Sequence, residues 1–272
     1  WRAVVAGNDG GSAAGDPRSG TIKGREGGPV FWGEHRALLR AGRGRAGFAG
    51  KPDGALLLSQ AVSLAQKNEV ELGRLRIQVT RGAPAEATGP DPGDYIAPTW
   101  LMNMEPFMPP AGDLYESGVV CATVAAGRGR YAALKSSGLM GSILARREAH
   151  AAGAWEAIIT NGHGRILEGA DSNIFFLAGN LLVTAGEEEA LLPGVIRHKV
   201  IQMAPDLDLV VQLHAPKLAE LGLGATAAFL TSSLLGICTV SEIDGIKLEP
   251  DPGIIGLLRQ RLQVLETESA GI

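Results

Sequence analysis

The chain has 272 residues, 45% of them hydrophobic and 20% charged, with a formal charge of −4 and an isoelectric point near 5.8. That composition excludes a disordered chain, allows one large domain or two ordinary ones, and leaves no basic footprint for nucleic acid. No apolar run reaches the length of a membrane-spanning helix, and the N-terminus shows no signal pattern, so the expectation is a cytoplasmic protein without membrane contact.

Two cysteines, Cys121 and Cys238, sit among apolar or small residues and read as packed thiols of a reducing compartment. The five histidines show no zinc-site spacing with cysteine or with one another, so no metal is expected.

In chain order, residues 6–28 carry eight glycines and read as loop-rich. Within them GDPRSGT, 15–21, has the outline of a phosphate loop. Thr21 stands where its lysine is needed, however, and Pro17 interrupts it. Helical spacing follows in 34–42 and 53–68, where Leu57, Ala61, Leu64 and Ala65 recur three and four residues apart. In 74–82, Leu75, Ile77 and Val79 alternate with Arg76, Gln78 and Thr80, the period of a half-buried strand.

A second strand, DYIAPTWLMNM, leads into EPFMPPAGD, 105–113, whose prolines end regular structure. This places a boundary near residue 110, between an N-terminal α/β domain, 1–109, and a larger domain, 110–272. The second domain opens with the strand ESGVVCATVAA and a helix over about 139–152. Three β-rich runs from Trp155 to Ala185, separated by Asn-Gly and Gly-Asn turns, predict an antiparallel meander. LPGVIRHKVIQMAP reads as a helix, ATAAFLTSSLLGICTVSEIDG as strands, and a last helix covers about 253–266.

Three features carry chemistry. Lys135 follows an apolar segment and precedes a small-residue turn, and Glu168 lies between Leu167 and Gly169 at a strand end. The helix after LLPG would offer the unpaired amides of Val195 and Ile196 at a positive dipole end, and Ser232 and Ser233 add hydroxyls at another strand end. A lysine, a carboxylate and a phosphate cradle suit pyridoxal 5'-phosphate. Its aldehyde needs an amine, its ring nitrogen an acid partner and its phosphate oriented donors.

Residues 131–245 resemble the class IV, fold-type IV pyridoxal-phosphate aminotransferases, the group of branched-chain and D-amino-acid aminotransferases and aminodeoxychorismate lyase. The resemblance is carried by KSSGLMGSILARREA, EAII, LEGADSNIF, LPGVIR and LTSSLLGI, in family order. It implies a two-domain α/β (α+β) fold with a small, divergent first domain, a larger domain with a barrel-like antiparallel sheet, and a homodimer acting on an amino acid and a keto acid. It makes Lys135 the catalytic Schiff-base lysine, Glu168 the ring-nitrogen partner, and Val195, Ile196, Ser232 and Ser233 phosphate ligands. Arg81, in VTRG, becomes a candidate for the substrate carboxylate. Two positions depart from the family. Leu38 replaces a phosphate-binding arginine, with Arg40 and Arg43 nearby, and Ser19-Gly20 replaces an aromatic–acid pair. Aminotransfer is the leading function, with a lyase of the aminodeoxychorismate kind or a non-catalytic binding protein as alternatives.

Overall fold

The computed structural model describes residues 17–48, 53–84, 95–96, 98–126, 129, 131–136, 138–221, 224–249 and 251–270. They fall into two compact units. The first contains the residues up to Met108, the segment Leu134–Gly138 and the residues from Glu266 on, and the second contains Pro109–Ala133 and Leu139–Leu265.

The first unit is built on an antiparallel sheet in the order β2-β1-β3-β6, from β1 (Arg18–Arg25), β2 (Gly28–Pro29), β3 (Leu72–Val79) and β6 (Trp100–Pro106). Two short strands, β4 (Ala83–Pro84) and β5 (Tyr95–Ile96), pair with each other. Leu75, Ile77 and Val79 of β3 point into the core, as the alternation predicts. Helix α1 (Trp32–Arg45) and helix α2 (Gly54–Lys67) add to that core, with Ile22 of β1 and Met104 of β6. Asp53 caps α2 by accepting from the amides of Ala55 and Leu56, at 2.9 and 3.4 Å, and Leu57, Ala61 and Ala65 bury one face.

The loop reading of 6–28 fails for its second half, while residues 6–16 lie outside the described residues. β1 runs through Gly20 and Gly24 and pairs with β3 at each of its eight residues. Glycine disfavours a strand only weakly beside a full ladder of hydrogen bonds, and a Cβ at Gly24 would stand 3.1 Å from Met104 Cε, so packing needs a small residue there.

The second unit is a nine-stranded sheet in the order β12-β11-β10-β13-β14-β7-β8-β9, with β15 (Ile246–Lys247) paired to β14. Its strands are β7 (Val119–Val124), β8 (Glu156–Thr160), β9 (Ile166–Gly169), β10 (Asn173–Ala178), β11 (Leu181–Thr184), β12 (Val210–Leu213), β13 (Ala227–Ser232) and β14 (Gly236–Ile243). A helix not read from the sequence, α3 (Gly112–Ser117), precedes β7, and α4 (Met140–Ala151), α5 (Val195–Met203), α6 (Leu218–Leu221) and α7 (Ile254–Ala270) follow.

The meander resolves into two hairpins, β8/β9 and β10/β11, separated in the sheet by β13, β14 and β7. The run breaks between β9 and β10 because β10 pairs with β13 rather than with β9. Helix α4 connects β7 to β8, which are parallel, and parallel neighbours need a crossover rather than a turn. Alternation then divides the strands cleanly. Ile174, Phe176, Ala228, Leu230, Cys238 and Val240 build the main core on one face. Phe175 and Phe229 stack at 5.0 Å on the other, the face that also receives Asn173 and Thr231.

Cys121 and Cys238 are buried free thiols. Among the described residues no helix is long and apolar enough to cross a membrane, and no cluster of His, Cys, Asp and Glu could hold a metal ion.

The last turn of α7 belongs to the first unit, where the Glu266 carboxylate takes Lys23 Nζ at 2.9 Å on each oxygen with the acid 3% exposed. Glu266→Ala leaves a largely buried ammonium without its counter-charge, and a loss of about 3 kcal/mol is expected, read as a lowered melting temperature of the first unit.

Candidate active site

In the first unit, Lys135 follows a 3₁₀ turn, Ala132–Leu134, and adopts the left-handed conformation at φ 46°. A lysine resists that conformation, so its surroundings must impose it. They do so through the backbone. The amide of Ser19 donates to the Lys135 carbonyl at 3.0 Å, and Arg18 bridges to Ser136 in antiparallel fashion. Arg18 Nη1 lies 3.5 Å from the Leu134 carbonyl, and that carbonyl would stand 2.9 Å from any Cβ at Gly42 of α1. The start of β1 and one small position on α1 therefore clamp the lysine segment.

His35 lies on the buried face of α1 with Trp32, Leu39, Gly42 and Arg43. Burial first, and the neighbouring Lys135 charge second, lower its pKa to about 3. The imidazole is consequently neutral at physiological pH.

Arg81 follows β3, its guanidinium 4.6 Å from the Phe48 ring centre, and Arg18 lies 5.6 Å from the same ring. The Thr80 hydroxyl accepts from the amides of Gly82 and Thr99, each at 3.2 Å, which fixes the direction in which the chain carries Arg81. Leu38 is half-buried and Arg40 is exposed. Arg43 is buried over Trp100 at 4.9 Å, where desolvation lowers its pKa. Of the two arginines near Leu38, then, one faces solvent and the other packs on an indole.

In the second unit, Glu168 is 4% exposed at the end of β9. A register shift sets Ile159 opposite Glu168 but Thr160 opposite Ile166, leaving Leu167 as a bulge. Without it Ile166 and Glu168 would share a face. With it Ile166 joins the main core and Glu168 turns to the other side. Gly169 makes room for the following turn, since a Cβ there would stand 2.1 Å from Ser172 Oγ.

Glu168 Oε2 accepts from Asn173 Nδ2 at 3.1 Å and from the Leu192 amide at 3.2 Å. The chain then enters α5, whose first intrahelical bond is from His198 N–H to the Gly194 carbonyl. The amides of Val195 and Ile196 precede that bond, as helix geometry dictates, at the positive end of the dipole. Arg197, on the same turn, is buried and donates to the Ala185 carbonyl at 2.8 Å. Desolvation lowers its pKa, with Glu187, Glu168 and Glu188 opposing.

Ser232 ends β13 and Ser233 follows it, and Ser232 Oγ accepts from the Leu235 amide at 3.2 Å, leaving its own proton free to donate. Thr231, just before them, is the cross-strand partner of Asn173, and its buried Oγ1 has no hydrogen-bond partner among the described residues. A buried hydroxyl of that kind calls for a polar ligand. It suits pyridoxal phosphate, as do the buried carboxylate of Glu168 and the open amides of α5.

Glu168, Val195, Ile196, Ser232 and Ser233 all belong to the second unit, while Lys135 and Arg81 belong to the first. Asn173, Thr231, Arg18 and His35 were not singled out from the sequence. Asn173 and Thr231 lie inside the runs LEGADSNIF and LTSSLLGI, but only the register of β10 on β13 sets them opposite each other.

Comparison with known proteins bears on this arrangement. Residues 20–243 match the family model for amino-transferase class IV. D-alanine aminotransferase of Bacillus licheniformis is 30% identical over 213 residues, 78% of this chain and 73% of that protein. Among solved structures, a protein provisionally named 4-amino-4-deoxychorismate lyase from Legionella pneumophila superposes with a TM-score of 0.88 at 23% identity, covering 98% of this chain and 97% of that one. The branched-chain aminotransferase of Thermoproteus uzoniensis gives a TM-score of 0.86 at 23% identity, covering 98% and 91%. At such identities the two structures establish the fold, which is the one that the sequence resemblance implies.

Two outcomes follow from the lysine clamp. Gly→Ala within a helix ordinarily gains about 1 kcal/mol. Gly42→Ala should instead lose stability, because its Cβ meets a backbone carbonyl at 2.9 Å, and thermal unfolding reads the sign. His35 is depressed to about 3 from 6.5, so the stability it contributes is present above pH 6.5 and drains away as pH falls toward 3. The slope is up to about 1.4 kcal/mol per pH unit. Denaturant titrations between pH 6 and 4 should show a shallower loss in His35→Gln than in the parent.

Proposed function

The chain belongs to the class IV aminotransferase family, and from that premise we propose that it moves an amino group between an amino acid and an α-keto acid, using pyridoxal 5'-phosphate bound through Lys135. The observation that carries this reading is the buried Glu168 carboxylate, held by two donors in the same unit as the open N-terminus of α5. Enzymes of this family are pyridoxal-phosphate dependent.

When bound, the cofactor supplies an aldehyde that condenses with amines and a ring that accepts the electron pair of the substrate α-carbon. Lys135 Nζ would hold the aldehyde carbon. Once displaced by the substrate amine, it would take the proton from the substrate α-carbon and return it to the carbon that carried the aldehyde. Glu168 would accept a hydrogen bond from the protonated ring nitrogen and keep its positive charge in place. The amides of Val195 and Ile196, backed by the α5 dipole, and the hydroxyls of Ser232 and Ser233 would bind the phosphate. Arg81 would orient the substrate carboxylate.

We also read the protein as a cytoplasmic homodimer. The exposed side chains of Leu139, Met140, Ile143 and Leu144, on and beside α4, support a subunit interface, and the two buried thiols fit a reducing compartment.

Absorbance of the purified protein with pyridoxal phosphate, before and after pooled L- and D-amino acids, tests the reading. A visible band that bleaches with an amino acid is expected, and Lys135→Ala should abolish it. Glu168→Ala, which removes a charged ring partner, should weaken cofactor binding about ten- to a hundredfold. Pyruvate released without any keto-acid acceptor would identify a lyase instead. A band equally strong in Lys135→Ala would remove the lysine from its role.

A further inference from the structure

Asn173 opens β10 and is 5% exposed. Its Nδ2 spends both protons: one on Glu168 Oε2 at 3.1 Å, the other on the Leu192 carbonyl at 2.9 Å. Both partners are acceptors, which fixes the orientation of the amide. The other end of that amide points at the entry to α5, where a Cβ at Gly194 would stand 2.2 Å from Asn173 Oδ1. The Leu192 amide closes the loop by donating to the same Glu168 oxygen at 3.2 Å. One side chain therefore touches the carboxylate, the segment leading to α5 and the N-cap of that helix.

We propose that Asn173 is a positioning residue that keys the Glu168 carboxylate to the N-terminus of α5, so that the group meeting the ring nitrogen and the group meeting the phosphate are set at one spacing. This rests on the pyridoxal-phosphate reading above and adds to it a residue whose hydrogen bonds go to Glu168 and to the approach to α5. No other side chain does the same work here. Aspartate lacks both donated protons and would place a second negative charge beside Glu168. Alanine leaves the carboxylate and the Leu192 carbonyl each short of a donor. Glutamine is longer by a methylene, in a space where a single Cβ on Gly194 already collides.

A merely structural asparagine and a positioning one separate in the pH titration of the visible band. A positive charge on the ring nitrogen disfavours a second positive charge at Lys135 Nζ, and so disfavours its protonation. If Glu168 is no longer held in place, the ring nitrogen loses its charge, and the proton at Nζ persists to higher pH.

The experiment titrates the cofactor-loaded protein from acid to alkaline pH for the parent, Asn173→Ala, Glu168→Gln and the double variant, with cofactor dissociation constants and melting curves measured alongside. Asn173→Ala should shift the titration midpoint upward, in the same direction as Glu168→Gln, and weaken cofactor binding about tenfold. The double variant should shift no further than Glu168→Gln alone, because the asparagine acts only through the glutamate. A parental midpoint in Asn173→Ala, whatever its melting temperature, would overturn the proposal, as would shifts that add in full. Should Asn173→Ala not fold, Asn173→Ser, a milder truncation, is held to the same outcomes. Absence of a Lys135-dependent band in the parent would instead defeat the cofactor reading on which this one stands.

Discussion

A carboxylate taken out of water must be given donors or be paid for in stability, and Glu168 is one place where this chain meets that constraint. The bulge at Leu167 turns the acid away from the main core, and two donors then converge on one of its oxygens. Each arrangement forces another. Gly169 must lack a side chain so that Ser172 can close the turn, and Gly194 must lack one so that Asn173 can reach the approach to α5. A strand end, a tight turn and a helix N-terminus thus become interdependent around a single charge.

The lysine segment is held on a different principle. Three of its contacts run through main-chain atoms, the Ser19 amide to the Lys135 carbonyl, the Arg18–Ser136 bridge and the Leu134 carbonyl against Gly42, and the Arg18 guanidinium adds a contact to the Leu134 carbonyl. Backbone contacts do not depend on which side chain Ser19 or Leu38 carries. That explains how the start of β1 can depart from the family's usual residues and still form the clamp. The conditions are steric, a small residue at Gly42, and conformational, a left-handed Lys135.

Burial sets the state of some charges of the first unit, while others pair, as Lys23 does with Glu266. His35 stays neutral because water is excluded and Lys135 lies close, and Arg43 rests its guanidinium on Trp100. Arg18 and Arg81 share the Phe48 ring, so one aromatic face steadies both cations.

Much of this was legible in the sequence. Periodicity located α1, α2, α4 and β3, because helix and strand spacing reflect one buried face each, and the ordered motifs pointed to Lys135, Glu168, Val195, Ile196, Ser232 and Ser233. Composition misled at β1, since a glycine-rich stretch is extended here by the ladder it forms with β3, a partner some fifty residues away. Turn signals located two hairpins but could not show that β13, β14 and β7 lie between them, because strand order depends on non-local pairing. The sequence by itself determined the local elements and the residue types able to do chemistry. Only the tertiary structure decided that Leu167 bulges, that Asn173 faces Thr231, and that the Lys135 segment packs with the first unit. Those outcomes depend on register and close packing between distant segments, for which no single stretch of sequence carries the information.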